Sequence, residues 1–226
     1  MRLCIVMPTL DEEAALARHL PAALAAADLV VVSDGGSTDR TLAIAEELGA
    51  RVVRGEPGRG QQLNRGARAG LAAGADLLVF VHADTVLPPG APAALRAAVA
   101  RGARGGAFLV RFDSELWKMR LGGWLVNLRT RWVRLPLGDQ AQFATRETFA
   151  ALGGFRDWPL LEDVDFAWRL RRAGAMAILD ARVTTSARRF LEHGSLRTVA
   201  TNWLIWLLFL LGVSPHRLAR FYGKIR

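Results

Sequence analysis

The chain has 226 residues, of which 51% are apolar, 23% charged and 8% aromatic, and its formal net charge is +9. This composition excludes a disordered chain, a collagen-like repeat and a small disulfide-held scaffold, and the length suits one domain with or without an appendage. The single cysteine, Cys4, lies in an apolar run and cannot form an internal disulfide. We expect it to be a buried, inert thiol.

Helices and buried strands alternate along the first 110 residues. The expected strands cover residues 3–7, 28–33, 51–54, 76–81 and 107–110, and the expected helices cover residues 11–27, 38–48, 61–73 and 89–100. This alternation predicts an α/β fold with a mostly parallel central sheet and helices on both faces. Ligands of such sheets bind beyond the carboxyl ends of the strands, so we expect the chemistry there.

The alternation ends beyond residue 112. The segment 115–133 mixes tryptophans with lysine and arginine, a helix is expected over 161–172, and a weak strand over 183–185. An apolar segment, 199–213, predicts a further C-terminal helix.

Positive charge is concentrated in the second half of the chain. Residues 1–110 contain 11 arginines and 11 acids, whereas residues 111–226 contain 19 basic and 10 acidic residues. Such a basic half suggests an anionic membrane surface, a phosphorylated substrate or nucleic acid as a partner. Arginines that simply fill solvated faces explain it equally well. No nucleic-acid-binding motif accompanies the charge, so we expect no nucleic-acid partner.

Polar residues follow four of the expected strands at the point where each strand ends. The four segments are Pro8-Thr9-Leu10-Asp11-Glu12-Glu13, Ser33-Asp34-Gly35-Gly36-Ser37-Thr38-Asp39, Gly58-Arg59-Gly60 with Asn64, and His82-Ala83-Asp84. Each segment alone is ordinary turn chemistry. Together, on one edge of a parallel sheet, they indicate a composite polar site.

The order of these segments resembles glycosyltransferase family 2. The likeness continues through Gly105-Gly106-Ala107-Phe108, Gly138-Asp139-Gln140 and Glu162-Asp163, so it covers roughly residues 3–175. Within the family, the set looks most like a short bacterial subgroup. The resemblance implies a GT-A fold, a nucleotide-diphosphate sugar as donor and inversion at the anomeric carbon. It also implies a GT-A domain over 1–190, with a nucleotide-binding half (1–110) and an acceptor half (111–190), and a helical appendage over 191–226.

The resemblance assigns the nucleotide to the first two segments. Asp34 is expected at the base, with Pro8, Thr9 and Glu12 along the ribose. Candidates for contact with the base or the diphosphate are Arg59 and Arg65, because guanidinium groups suit both. A solvated helix face is the alternative for Arg65. The resemblance also places Asp139 and Gln140 at the acceptor or the donor sugar.

A divalent cation, Mn²⁺ or Mg²⁺, would stabilise the departing diphosphate, and hard cations prefer carboxylate oxygens. The family usually offers Asp-x-Asp at this position, and this chain has His82-Ala83-Asp84. We expect Asp84 to be a metal ligand. For His82 four roles are open: a second ligand, a support for Asp84, a contact to the diphosphate, or a cap of the strand end.

The attacking hydroxyl must lose a proton, which requires a carboxylate as general base. The resemblance assigns this role to Asp163, with Glu162 as its neighbour. Asp165 gives a second spacing that imitates a metal motif. Asp165 and Arg169 are four residues apart on the expected helix, however, so we expect them to form an ion pair.

The segment 199–213 is shorter than the roughly 20 residues that span a bilayer. A core or dimer helix, a helix in the membrane interface and a re-entrant insertion remain open for it. The N-terminal residues do not read as a secretory signal. We therefore expect a cytoplasmic protein, with peripheral contact to the inner face of the cell membrane through 199–213 and a homodimer as further interpretations.

The sequence thus predicts an inverting glycosyltransferase that uses a nucleotide-diphosphate sugar, expected to be a UDP-sugar, and an unidentified hydroxyl acceptor. One alternative is a sugar-phosphate nucleotidyltransferase, although the glycine-rich loop of those enzymes does not follow the first strand. A dehydrogenase is disfavoured because no Gly-x-Gly-x-x-Gly follows that strand. The other alternative, suggested by His82, is a catalytically degenerate nucleotide-sugar-binding module at a membrane surface.

Overall fold

A computed structural model describes the chain at residues 1–188, 201, 204–209 and 211–225, and its side chains within these ranges as far as residue 220. Strands and helices alternate through the first 112 residues as expected, except that an additional two-residue strand directly follows the fourth strand. The strands of this part are β1 (Leu3–Thr9), β2 (Leu29–Asp34), β3 (Arg51–Arg54), β4 (Leu77–Phe80), β5 (Thr85–Val86) and β6 (Gly105–Phe112). The helices are α1 (Glu13–Ala26), α2 (Thr41–Glu47), α3 (Arg59–Ala72) and α4 (Ala91–Ala100).

Elements of more varied length follow in the second half. They are α5 (Trp117–Val133), a 3₁₀ turn (Gly138–Gln140), β7 (Phe143–Thr145), α6 (Arg146–Ala151), α7 (Glu162–Arg172), β8 (Met176–Thr185) and α8 (Pro215–Ile225). The expected weak strand at 183–185 is therefore the end of a ten-residue strand. The exposed residues Asp180 and Arg182 interrupt the apolar pattern of β8, so the sequence did not predict the first part of this strand.

The described strands form one mixed sheet in the order β3-β2-β1-β4-β7-β6-β8-β5. The first four are parallel, as expected. Further along, β7 runs antiparallel to both β4 and β6, β8 runs parallel to β6, and β5 runs antiparallel to β8. The mixed half thus begins at β7, which has three residues and too little pattern for the sequence to reveal its direction.

Strand β1 is buried on both faces. Leu3, Ile5 and Met7 pack in one apolar cluster, and Cys4 and Val6 pack in another on the opposite face of the sheet. A continuous apolar run is typical of a strand covered by helices on both sides. Cys4 is buried as expected, and burial raises the pKa of its thiol to about 12.

The apolar segment 199–213 lies partly outside the described residues. Its residues 204–209 are helical. Ile205 is buried with Leu218 of α8 against Leu161 and Val164, so this part of the segment packs on the N-terminal half of α7. Among the helices that the structure describes, none has the length and apolar character needed to cross a bilayer.

Candidate active site

The polar segments after β1 and β2 lie side by side at one edge of the sheet. Thr9 and Asp34 are partners in the parallel pairing of the two strands, and the Gly35 N–H donates to the Thr9 carbonyl at 2.9 Å. Asp11 Oδ1 accepts the Thr38 N–H at 2.8 Å and so ties the two segments together. Asp11 adopts a left-handed backbone conformation, with φ 52°. Helix α1 therefore begins at Glu13 and not at residue 11, where the sequence predicted its start.

Asp34, which we expected at the nucleobase, organises the second loop. It is 1% exposed, and its Oδ2 accepts the N–H groups of Gly36 at 2.8 Å and Ser37 at 3.0 Å. Its Oδ1 accepts the hydroxyls of Ser37 and, at 3.4 Å, Thr9. The carboxylate thus shapes the loop around it, and contact with a base stays a prediction. Of the residues expected along the ribose, Thr9 is buried, whereas Pro8 and Glu12 are partly exposed.

Two side chains of α3 donate hydrogen bonds to the backbone of these loops. Gln62, which the sequence did not single out, donates its amide to the carbonyls of Thr9 at 2.7 Å and Ser33 at 3.1 Å. Arg65 donates to the Asp34 carbonyl at 2.7 Å, and burial lowers its pKa. Arg65 therefore braces the loop. No sequence signal separates Gln62 from its neighbour Gln61.

The N-termini of α3 and α7 meet at a cluster of charged side chains. The Nε atom of Arg59 lies 3.1 Å from Glu162 Oε1, and the same guanidinium contacts the His82 ring. Asp163 lies beside them and accepts the Gly138 N–H at 2.6 Å on its Oδ2. The structure thus brings together four residues that the sequence placed in the site, from three separate segments of the chain.

Gly138 occupies the centre of this cluster. A Cβ atom at this position would lie 3.1 Å from Asp163 Oδ2, 3.1 Å from His82 Nε2 and 3.2 Å from Arg59 Nη2. Such distances are tighter than ordinary carbon contacts. The glycine therefore lets the turn approach Asp163 closely.

Burial opposes the ionisation of Glu162. Its side chain is 2% exposed, and Oε1 forms no well-aligned hydrogen bond in addition to the ion pair with Arg59. Burial raises the pKa of Glu162 to about 7; Arg59 acts to lower it, and the neighbouring charge of Asp163 raises it further. The carboxyl group is therefore partly protonated near neutral pH.

Asp139 and Arg129 are two further charged side chains close to this cluster. Asp139 Oδ1 and the Nε and Nη2 atoms of Arg129 are buried without a hydrogen-bond partner in the described part of the chain. Burial raises the pKa of Asp139 to about 6, and Arg129 opposes that rise. The Arg129 guanidinium also lies 5.7 Å from the ring centre of Trp206. In the sequence, Arg129 is one of several basic residues of α5, and nothing distinguishes it from the others.

Gln140 differs from its neighbour Asp139. It is fully buried, donates to the Phe108 carbonyl at 3.1 Å and accepts the Thr130 hydroxyl at 2.9 Å. Its Oε1 also accepts the Leu137 N–H at 3.0 Å. Gln140 therefore supports the 3₁₀ turn from inside. Of the two residues expected at a sugar, only Asp139 lies among the charged side chains of the site.

Asp84 stands at the end of β4 and is partly exposed; the Thr85 hydroxyl contacts its Oδ1 at 3.4 Å. Among the described residues, no three histidine, cysteine or acidic side chains come together in a way that holds a metal ion. The Asp163-Val164-Asp165 spacing is likewise not a metal motif. Asp165 lies 2.6 Å from Arg169 in the ion pair that its spacing predicted.

Asn64 connects α3 to the loop before α7. Its amide donates to the Phe155 carbonyl at 2.8 Å and accepts the Phe155 N–H at 2.8 Å. Arg169 fixes the same loop by donating to the carbonyls of Leu152 and Gly154. These bonds set the position of α7, and with it that of Asp163, relative to α3.

Comparison with known proteins identifies structures with a similar fold. Similar solved structures include S. aureus TarS 1-349, with TM-score 0.64 and 17% identity over 88% of this chain and 64% of that one. The mannosyltransferase PcManGT from Pyrobaculum calidifontis, in complex with GDP-Man and Mn²⁺, has TM-score 0.65 and 21% identity over 90% and 62%.

Glucosyl-3-phosphoglycerate synthase from Mycobacterium tuberculosis, in complex with Mn²⁺ and UDP-glucose, has TM-score 0.53 and 21% identity over 80% and 69%. The chain thus spans less than two thirds of the length of TarS 1-349 and of PcManGT. No curated protein sequence matches it. The sequence model described as Glycosyl transferase family 2 matches residues 4–155, so the chain belongs to glycosyl transferase family 2 and has the fold of these GT-A enzymes.

Proposed function

We propose that this protein is an inverting glycosyltransferase that moves a sugar from a nucleotide-diphosphate sugar to a hydroxyl acceptor. The observation that carries the proposal is the position of Asp163. It lies at the N-terminus of α7, bound to Gly138 and beside the Arg59 cation, with the loops after β1, β2 and β4 on the same side of the molecule. Family membership and the complexes of similar structures with UDP-glucose or GDP-mannose support the donor class.

The donor would bind with its nucleotide on the loops after β1 and β2. Thr9 and Asp34 fix the shape of this surface, and Pro8 and Glu12 form part of its rim. We expect uracil as the base, as the sequence predicted. We assign Arg59 to the diphosphate because it lies where the N-termini of α3 and α7 meet. There it would exchange part of its contact with Glu162 for the phosphates.

A divalent cation suits Asp84 and does not suit His82. Asp84 is a partly exposed carboxylate at the strand end, and Mg²⁺-like ions take one or two carboxylates and complete their shell with substrate phosphates and water. The His82 ring lies against the Arg59 guanidinium, which disfavours a second cation at that ring. When bound, the ion would neutralise charge on the departing diphosphate.

Asp163 would take the proton of the attacking hydroxyl. The N–H groups of Gly138, at 2.6 Å, and Val164, at 2.8 Å, orient its two oxygens, so the carboxylate is held in one position. A fixed base within reach of the hydroxyl provides general base catalysis. Glu162 is buried and paired with Arg59, and we assign it to positioning that cation.

The test is a thermal-shift screen of nucleotide-sugars with and without Mn²⁺, followed by product analysis with the donor that stabilises the protein. We expect one donor class to stabilise it and UDP release to require an acceptor hydroxyl or water. NMR of the product should show the opposite anomeric configuration to that of the donor. Retention of configuration would refute the inverting mechanism. Pyrophosphate release from UTP and a sugar phosphate would favour a nucleotidyltransferase, and binding without turnover would favour a binding module.

A further inference from the structure

Helix α5 presents a continuous apolar face to its surroundings. Six large side chains are 38–81% exposed and recur at helical spacing: Trp117, Leu121, Trp124, Leu125, Leu128 and Trp132. A helix of a soluble domain normally turns such a stripe towards the core. At 1.5 Å per residue, the 17 residues of α5 make this face about 25 Å long.

The opposite face of α5 fixes this orientation. Met119, Gly123, Asn127 and Thr130 are buried there. Asn127 donates to the Val110 carbonyl and accepts the Val110 N–H, both at 2.8 Å, so the helix is anchored to β6. A rotation that buried the tryptophans would break both bonds. The apolar face therefore belongs outside, and a contiguous patch of this kind marks a site of interaction.

The charge around this face indicates what covers it. Helix α5 contains no acidic residue, and Lys118 and Arg120 are exposed beside the tryptophans. Of its other cations, Arg131 is exposed and paired with Asp180, and the Nε and Nη2 atoms of Arg129 are buried at the site. Tryptophan and long basic side chains both place an apolar body in the acyl region of a lipid interface and a polar end at the headgroups. A second copy of α5 would instead bring like charges together.

We propose that the outer face of α5 binds the surface of an anionic lipid bilayer. The helix would lie in the plane of the interface, with its tryptophans among the lipids and its cations at the headgroups. This contact is separate from the one expected through 199–213, where Ile205 is buried in the protein. Thr130 of α5 donates to Gln140, whose turn reaches Asp163, so a docked α5 would hold the site close to the membrane.

The experiment is flotation of the full chain with vesicles of phosphatidylcholine containing 30% phosphatidylglycerol, compared with phosphatidylcholine alone. We expect flotation with the anionic vesicles, weakened by salt. The double variant Trp124→Ser/Trp132→Ser should bind at least about tenfold more weakly. Trp168→Ser, which alters an exposed tryptophan on α7, is the matched control and should bind as wild type does. Lys118→Gln/Arg120→Gln should lose about fivefold per charge.

Circular dichroism and the nucleotide-sugar thermal shift check that each variant is folded. If the double variant does not fold, Trp132→Ser alone provides the same comparison, because this side chain is 81% exposed. Absence of flotation of the wild type overturns the proposal, and so does equal flotation of the tryptophan variant. A dimer in sedimentation that Trp124→Ser/Trp132→Ser abolishes, without vesicle binding, would assign the face to a second copy and also overturn it. None of these outcomes depends on glycosyl transfer.

Discussion

The buried carboxyl group of Glu162 makes the stability of the protein depend on pH, and one substitution should remove that dependence. Burial raises the pKa of Glu162 from 4.5 to about 7. Below pH 4.5 the group is protonated in both the folded and the unfolded chain, so its ionisation does not lower the stability of the fold. Between pH 4.5 and 7 the unfolded chain loses the proton first, and folding becomes less favourable as pH rises.

The difference between the two pKa values corresponds to about 3 kcal/mol of stability lost by pH 8. Glu162→Gln keeps the shape of the side chain and removes its ionisation. The variant also loses the ion pair with Arg59, and this loss lowers its stability. The size of that loss varies with pH only as Glu162 of the wild type ionises. The stability of Glu162→Gln relative to wild type should therefore be about 2–3 kcal/mol more favourable at pH 8 than at pH 5.

Denaturant unfolding of both proteins at pH 5 and pH 8 measures this quantity. Glu115→Gln, at an exposed position before α5, is the matched control and should show no such change between the two pH values. If the stability difference between Glu162→Gln and wild type were the same at both pH values, the reasoning about a buried, partly protonated Glu162 would be refuted.

Two further substitutions test the geometry of the site. Gly138→Ala should lower kcat at least about tenfold with little loss of stability, because its Cβ would displace Asp163 by some tenths of an ångström; Gly122→Ala, whose Cβ meets nothing, should leave kcat unchanged. Asn64→Ala should lower the free energy of unfolding by about 2–4 kcal/mol, because it removes two hydrogen bonds to the Phe155 backbone. Steady-state kinetics and urea unfolding measure these effects. Wild-type kcat in Gly138→Ala, or wild-type stability in Asn64→Ala, would contradict them.

The sequence predicted most strands and helices of residues 1–110 because their signals are local. Long apolar runs mark β1, β2 and β4, and polar segments mark their ends, so the edge that carries the site follows from the sheet rule. The i, i+4 spacing of Asp165 and Arg169 predicted their ion pair in the same local way.

The remaining features depend on tertiary contacts that no local pattern reveals. The three residues of β7 are too few for a sequence pattern that predicts an antiparallel strand. The buried position of Arg129 follows from the packing of α5 on β6. The role of Gln62 depends on its place in the fold, because its amide donates to the carbonyl groups of Thr9 on β1 and Ser33 on β2. The structure shows where part of the excess positive charge of residues 111–226 lies, because exposed cations of this half lie along α5.

The central claim is that Asp163 acts as the general base, and Asp163→Asn tests it most directly. With the donor identified by thermal shift, transfer should fall by about 10²–10⁴-fold while the dissociation constant for the nucleotide-sugar stays within about twofold of wild type. Asp180→Asn, which alters an exposed carboxylate paired with Arg131, is the control and should transfer normally. Transfer by Asp163→Asn at a near wild-type rate would contradict the account.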